Sequence, residues 1–267
     1  MTVNPADNWG VGDAYEPYVG RWSRLVMRDL LDWMSPASNL QWLDVGCGTG
    51  ALSSVILERA APRRVVGIDG AKGFVAYARA HQPDTRARFV NADARALPFP
   101  DDIFDALVAG LMLNFVPQPS LAAQEMARVT RPGGVVAVYV WDYAGEMQMM
   151  KRFWDAAMEL DANIAHLDEG ARFPLCQPEP LAALFQSAGL QSVEVRAIDI
   201  PTHFQDFDDY WSPFLGGQGS APSYVATLSK PQRDRLRDRL RDTLPTAPDG
   251  SIDLIARAWA VRGIAPR

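Results

Sequence analysis

Residues 41–61 set a strand, a glycine turn and a helix in immediate succession, and this stretch limits the fold more than any other. Gln41-Trp42 opens a short apolar strand that runs to Val45. Gly46, Gly48 and Gly50 follow, and then Leu52, Val55, Ile56 and Ala60 recur at helical spacing. Glycines let the chain turn sharply and let a ligand approach the main chain where a Cβ would collide. The first helical turn then offers unpaired N–H groups beside that ligand. The same residues satisfy Gly46-x-Gly48-x-x-Ala51, a dinucleotide fingerprint. Asp44 points elsewhere. It sits inside the strand, where a dinucleotide fold wants an apolar side chain, and a carboxylate there needs donors from the loop amides or from a ligand ammonium.

The run Asp44-Val45-Gly46-Cys47-Gly48-Thr49-Gly50 resembles the first motif of class I S-adenosylmethionine-dependent methyltransferases. Further matches follow in order, each at the end of an expected strand. Arg64 to Asp69 reads as a short strand ending in an acid before Gly70, and a carboxylate there can hold both ribose hydroxyls of a nucleoside; the competing reading is a helix cap for residues 71–77. Ala87 to Val90 reads as the next strand. After it, the resemblance implies that Asp93 accepts from the adenine amino group and that the Ala94 amide donates to the ring; alternatively Asp93 closes an Asx turn. Residues 104–109 then deliver Gly110 and Leu111 to the cofactor edge. Arg131-Pro132-Gly133-Gly134 opens Val135 to Trp141, a continuous β-branched run and so a strand covered on both faces. The resemblance covers residues 40–142 closely and thins beyond them.

It implies an α/β fold: a doubly wound, Rossmann-like seven-stranded sheet with an antiparallel last strand, an N-terminal lid and a helical insertion. With 267 residues and 48% hydrophobic content, one domain with elaborations is expected. Its parts are a lid and helix (1–37), a cofactor-binding core (38–142), a helical cap (143–188) and late strands and helices completing the sheet (189–267). Within the lid, Tyr18 and Arg21 could fold over the cofactor, with Arg21 near its carboxylate, while Trp22 to Trp33 has the stripe of a helix packed on the sheet. In the cap, Met147, Met149, Met150, Phe153 and Trp154 read first as ordinary core, with Pro174, Pro178 and Pro180 breaking the helical pattern. Residues 189–200 and 251–264 alternate as late strands would. Residues 232–243 read as a helix with Asp234–Arg237 and Asp238–Arg241 pairs on a solvated face.

A formal net charge of −6 with dispersed basic residues argues against nucleic acid. Cys47 and Cys176 do not suggest a disulfide framework, and with no signal-like N-terminus and no apolar run of membrane length the expectation is a cytoplasmic protein. The implied cofactor is S-adenosyl-L-methionine, leaving as S-adenosyl-L-homocysteine, and the implied partner is a small hydrophobic or aromatic methyl acceptor. A general base would help a hydroxyl or acidic-carbon acceptor. His166 and His203 are the candidates outside the nucleotide core, with His203 favoured because it follows the late strand. Asn114 stands where many small-molecule relatives carry histidine. Two other readings remain open at this point: a non-enzymatic S-adenosylmethionine-binding module, and an NAD-linked oxidoreductase.

Overall fold

The computed structural model describes residues 21–216 and 219–266. Tyr18 and the rest of the expected lid before residue 21 lie outside the described residues. The chain runs α1 (Arg21–Met34), β1 (Gln41–Val45), α2 (Ala51–Arg59), β2 (Arg64–Asp69), α3 (Lys72–His81), β3 (Ala87–Asn91), β4 (Phe104–Gly110), α4 (Pro119–Val129) and β5 (Thr130–Trp141). It continues through α5 (Gln148–Leu160), α6 (Glu169–Arg172), α7 (Pro178–Ser187), β6 (Gln191–Phe204), α8 (Phe207–Trp211), α9 (Ser220–Thr227), α10 (Lys230–Thr243) and β7 (Ile252–Ile264).

The strands form one seven-stranded sheet in the order β3-β2-β1-β4-β5-β7-β6. β1 to β5 pair in parallel, and β7 runs antiparallel to both β5 and β6. Helix connections on both faces bury the interiors of the central strands β1 and β2, so these do not alternate, while the edge strand β3 leaves Arg88 and Asn91 exposed. β7 alternates instead: Ile252, Leu254, Ala256, Ala258 and Ala260 are buried, and the parity slips where Val261 is buried as well. β5 begins earlier than expected, because the Arg131–Gly134 turn is drawn into the ladder at a register shift between Phe104 and Ala106. The sheet's late half is long: β6 pairs with β7 from Gln191 to Phe204.

α1 lies beside α2, with Asp32 and Arg59 joined 2.9 Å apart near their C-terminal ends, so both helices start at the same edge of the sheet. The cap methionines and aromatics are core, as read: Met147, Met149, Phe153 and Trp154 are buried. Pro178 and Pro180 do not break a helix but open α7, since proline's missing N–H costs nothing in a first turn. The expected pairs within α10 are also corrected. Asp234 takes Lys230, while Arg237 reaches Asp208 and Arg239 reaches Glu159, so these cations tie α10 to α8 and α5. No helix among the described residues is long and apolar enough to cross a membrane.

Candidate functional site

Because β1 to β5 are parallel, their last residues Val45, Asp69, Asn91, Gly110 and Trp141 share one edge, where an open α/β sheet holds its ligand. The glycine turn sits at the middle of that edge. Gly46, Gly48 and Gly50 have φ of +72°, +52° and +87°, which side chains other than glycine adopt at a cost. Their reasons differ. A Cβ on Gly46 would come within 2.5 Å of the Met112 side chain, whereas a Cβ on Gly48 would meet nothing within 4 Å. Gly46 is therefore a packing glycine, and Gly48 leaves an open cradle over the main chain.

Asp44 is buried beneath this turn, 1% exposed. Its Oδ2 accepts the Ser53 hydroxyl at 2.6 Å, and its Oδ1 is buried with no partner among the described residues. The donors thus come from Ser53 on α2, through its hydroxyl and its backbone N–H, not from the loop amides. Burial pushes the Asp44 carboxyl up to about 7, against the lowering effect of Ser53. Asp69 takes two backbone donors. Oδ2 accepts the Gly48 N–H at 3.0 Å and Oδ1 the Ala71 N–H at 2.7 Å, so one carboxylate fixes the glycine turn and the entry to α3. Burial raises its pKa, opposed by those two amides. Gly70 next to it is open, a Cβ there meeting only the Ala92 carbonyl at 3.9 Å.

Asp93 closes the Asx turn, accepting the Arg95 N–H at 2.9 Å, and it also holds the Arg95 guanidinium at 2.7 Å, which lowers its pKa. Ala94 is buried behind it. Gly110 is required by Tyr139, whose hydroxyl a Cβ would approach to 2.5 Å, and Leu111 takes φ +58° while its N–H donates to the Tyr139 carbonyl. Arg21 opens α1 at the same edge. Its Nη1 pairs with Asp209 at 2.9 Å and its guanidinium covers Trp22 and Phe204, whereas Nε and Nη2 are buried without partners among the described residues.

His203 stands exposed near the end of β6, an edge strand of the sheet, and its Nδ1 is taken up by Asp253 at 2.8 Å. His166 is equally local, facing the Asn163 carbonyl at 2.8 Å. In both cases a polar neighbour on the protein surface satisfies the ring.

Several residues were not legible as site residues. Ser53 could have been flagged as a polar residue in the buried stripe of α2. Phe173, at the end of α6, meets Phe115 at 5.1 Å and Tyr143 at 6.1 Å between ring centroids, so α6 roofs the loops that leave β4 and β5. Nothing in the spacing of these three rings along the chain announces that they meet.

The methyltransferase-domain family matches residues 43–138, from the strand before the glycine turn into β5. A 2-methyl-6-phytyl-1,4-hydroquinone methyltransferase of Synechocystis sp. is 31% identical over 192 residues, 71% of this chain and 58% of that protein. A demethylmenaquinone methyltransferase of Lysinibacillus sphaericus is 30% identical over 183 residues, 63% of this chain and 77% of that protein. The YcgJ protein of Bacillus subtilis superposes with a TM-score of 0.61 at 19% identity, over 90% of this chain and 98% of that one, which speaks to the fold. The chain belongs to the class I S-adenosylmethionine-dependent methyltransferases. Membership implies S-adenosylmethionine as the methyl donor. The chain spans little more than half the length of the first of these relatives, 58%.

Proposed function

We propose that this chain transfers a methyl group from S-adenosylmethionine to a small apolar acceptor bearing an aromatic ring, of the hydroquinol class. The observation that carries the cofactor assignment is the pairing of an open cradle at Gly48 with the orphaned, buried Oδ1 of Asp44. A buried carboxylate oxygen without a donor costs free energy that a ligand ammonium removes. Asp69 retains lone pairs beyond its two amide bonds and would hold the ribose hydroxyls. Asp93 and the Ala94 N–H would take the adenine edge, Gly70, Gly110 and Leu111 the walls beside it. The Arg21 donors Nε and Nη2, which have no partner among the described residues, are assigned to the amino-acid carboxylate.

Bound S-adenosylmethionine supplies a methyl group on positively charged sulfur, which leaves as a neutral thioether. The protein's share of the work is then alignment and exclusion of water, with ring faces close enough to favour the cation. Phe115, Tyr143 and Phe173 supply such a wall beyond β4 and β5. The acceptor class rests on that wall and on the two relatives named for hydroquinone and demethylmenaquinone methylation.

Titration calorimetry with S-adenosylhomocysteine, beside NAD as control, tests the cofactor site. Binding of the homocysteine product and a loss of at least ~10-fold in Asp44→Asn are expected, as for one charge-assisted hydrogen bond. Unchanged affinity in Asp44→Asn, or preference for NAD, overturns it. Transfer of labelled methyl to short-chain hydroquinols tests the acceptor; cofactor binding without transfer to any of them favours a binding module.

A further inference from the structure

The cap holds one acid that the cofactor site does not use. Glu169 opens α6 and is 5% exposed, with Oε2 accepting the Trp154 indole N–H. The Phe173 N–H donates to the Glu169 carbonyl at 3.0 Å. That bond spans four residues, so the chain is helical between them and the two side chains leave the same face. Phe173 rests on Phe115 and Tyr143, so the face carrying Glu169 is turned toward the ends of β4 and β5. Gly170 brings the helix close, since a Cβ there would lie 2.9 Å from Ala144 Cα and 3.1 Å from the Tyr143 carbonyl.

Asn114 immediately precedes Phe115 in the turn after β4. Its Nδ2 is buried and has no partner among the described residues. An amide donor that has left water and found nothing is costly, and an acceptor oxygen on a bound ligand removes that cost. Asn114 adjoins Phe115 and Glu169 stands one helical turn before Phe173, so the contact of those two rings at 5.1 Å brings an unused amide and a carboxyl to the same aromatic cluster, a set of groups suited to a flat molecule bearing a hydroxyl.

We infer that Asn114 and Glu169 form the acceptor-hydroxyl site: Asn114 Nδ2 donates to a phenolic oxygen, and the Glu169 carboxylate takes the phenolic proton. This rests on the hydroquinol reading above. As the nucleophilic atom bonds to the methyl carbon, the carbon–sulfur bond breaks and its electron pair stays on sulfur. The phenolic proton moves to Glu169, leaving a carboxylic acid. If oxygen is methylated, Glu169 later gives that proton to water. If the conjugated ring carbon is methylated, the ring hydrogen leaves to water and Glu169 returns its proton to the oxygen.

Burial pushes the Glu169 carboxyl up to about 7, with Asp168 raising and Arg172 lowering it, which suits a base working near neutrality. The other titratable groups around it are the Cys176 thiol before α7, which Glu169 and Asp142 just after β5 both push up, and Lys151 and Asp155 of α5, which act on Asp168.

The test uses the full chain loaded with S-adenosylhomocysteine, titrated with 2-naphthol and with 2-methylnaphthalene, which replaces the hydroxyl by a methyl of similar size. Wild type is expected to prefer the naphthol by ~10-fold or more, and Asn114→Ala and Glu169→Gln each to cut that preference about 10-fold while leaving 2-methylnaphthalene binding unchanged. Glu169→Gln keeps an oxygen for the Trp154 N–H, and Asn114→Ala does not touch that bond, so the two variants report independently. In turnover, Glu169→Gln should lower kcat by roughly 100-fold, beyond its effect on binding, and remove the acidic limb of the pH profile near neutrality. Equal preference in both variants and wild type, or an unchanged pH profile, overturns the inference. A wild-type protein that binds neither naphthalene overturns the aromatic-acceptor reading itself, whereas one that binds both equally overturns the hydroxyl site alone.

Discussion

The glycines of the cofactor turn share a conformation but not a purpose, and substitution separates them. Gly46→Ala must move Met112, whose Cγ stands 2.5 Å from the would-be Cβ, and must also hold alanine at φ +72°. Left-handed strain and overpacking together are expected to cost roughly 2–4 kcal/mol, read as a lower urea midpoint. Gly48→Ala carries only the strain at φ +52°, about 1–2 kcal/mol, because its Cβ enters open space. That space is where the cofactor is assigned, so Gly48→Ala should lose S-adenosylhomocysteine affinity more than ~10-fold despite its milder stability defect. Parent-like affinity in Gly48→Ala would mean the cradle is not a ligand site.

Among the elements, α6 is only Glu169–Arg172, yet it sets the distance between the cap and the sheet. Gly170 faces the backbone of Tyr143 and Ala144 at 2.9–3.2 Å, and backbone cannot swing aside as a flexible side chain can. Gly170→Ala is therefore expected to lift α6 from the end of β5 and pull Phe173 off Phe115. Methyl transfer should fall while calorimetry shows S-adenosylhomocysteine binding within about threefold of the parent, equivalent to well under 1 kcal/mol. Equal losses in both would show that the cap and the nucleotide site move as one. Elsewhere the elements are tied by long cations: Arg237 and Arg239 join α10 to α8 and α5, and Arg262 joins β7 to the Trp33 carbonyl at the end of α1.

For the whole molecule, two buried carboxyls, Asp44 and Glu169, are both pushed up to about 7 by desolvation. The folded chain therefore keeps protons that the unfolded chain releases, and linkage makes stability fall as pH rises from about 4 to about 7. At about 1.4 kcal/mol per pH unit, each group contributes a decline of roughly 3–4 kcal/mol at most across that window. Urea midpoints of the ligand-free protein should drop between pH 5 and pH 7.5, and the Asp44→Asn/Glu169→Gln double variant should flatten the curve. Midpoints that stay level or climb in the parent would show that these carboxyls are ionised when folded. Asp84, held near 2 by Arg86, and Asp93 act with the opposite sign, and only at lower pH.

Local sequence was sufficient for the nucleotide half of the sheet. From β1 to β4 each strand is only five to seven residues long and is followed closely by its turn, so an acid or glycine named near a strand end lands on the shared edge, as Asp44, Gly48, Asp69 and Gly110 do. The loops beyond β4 and β5 and the helices over them were decided by packing. Whether Asp44 met a loop amide or the Ser53 hydroxyl turned on how α2 packs back over β1, and whether His203 met the Asp253 carboxylate and whether Phe115, Tyr143 and Phe173 converged depend on contacts between residues tens of positions apart. Periodicity fixes which face of an element is apolar, because that is set within a few residues. It carries no record of which distant element covers that face, and the short helix α6 closes over β4 and β5 only because the tertiary fold leaves that edge to be covered.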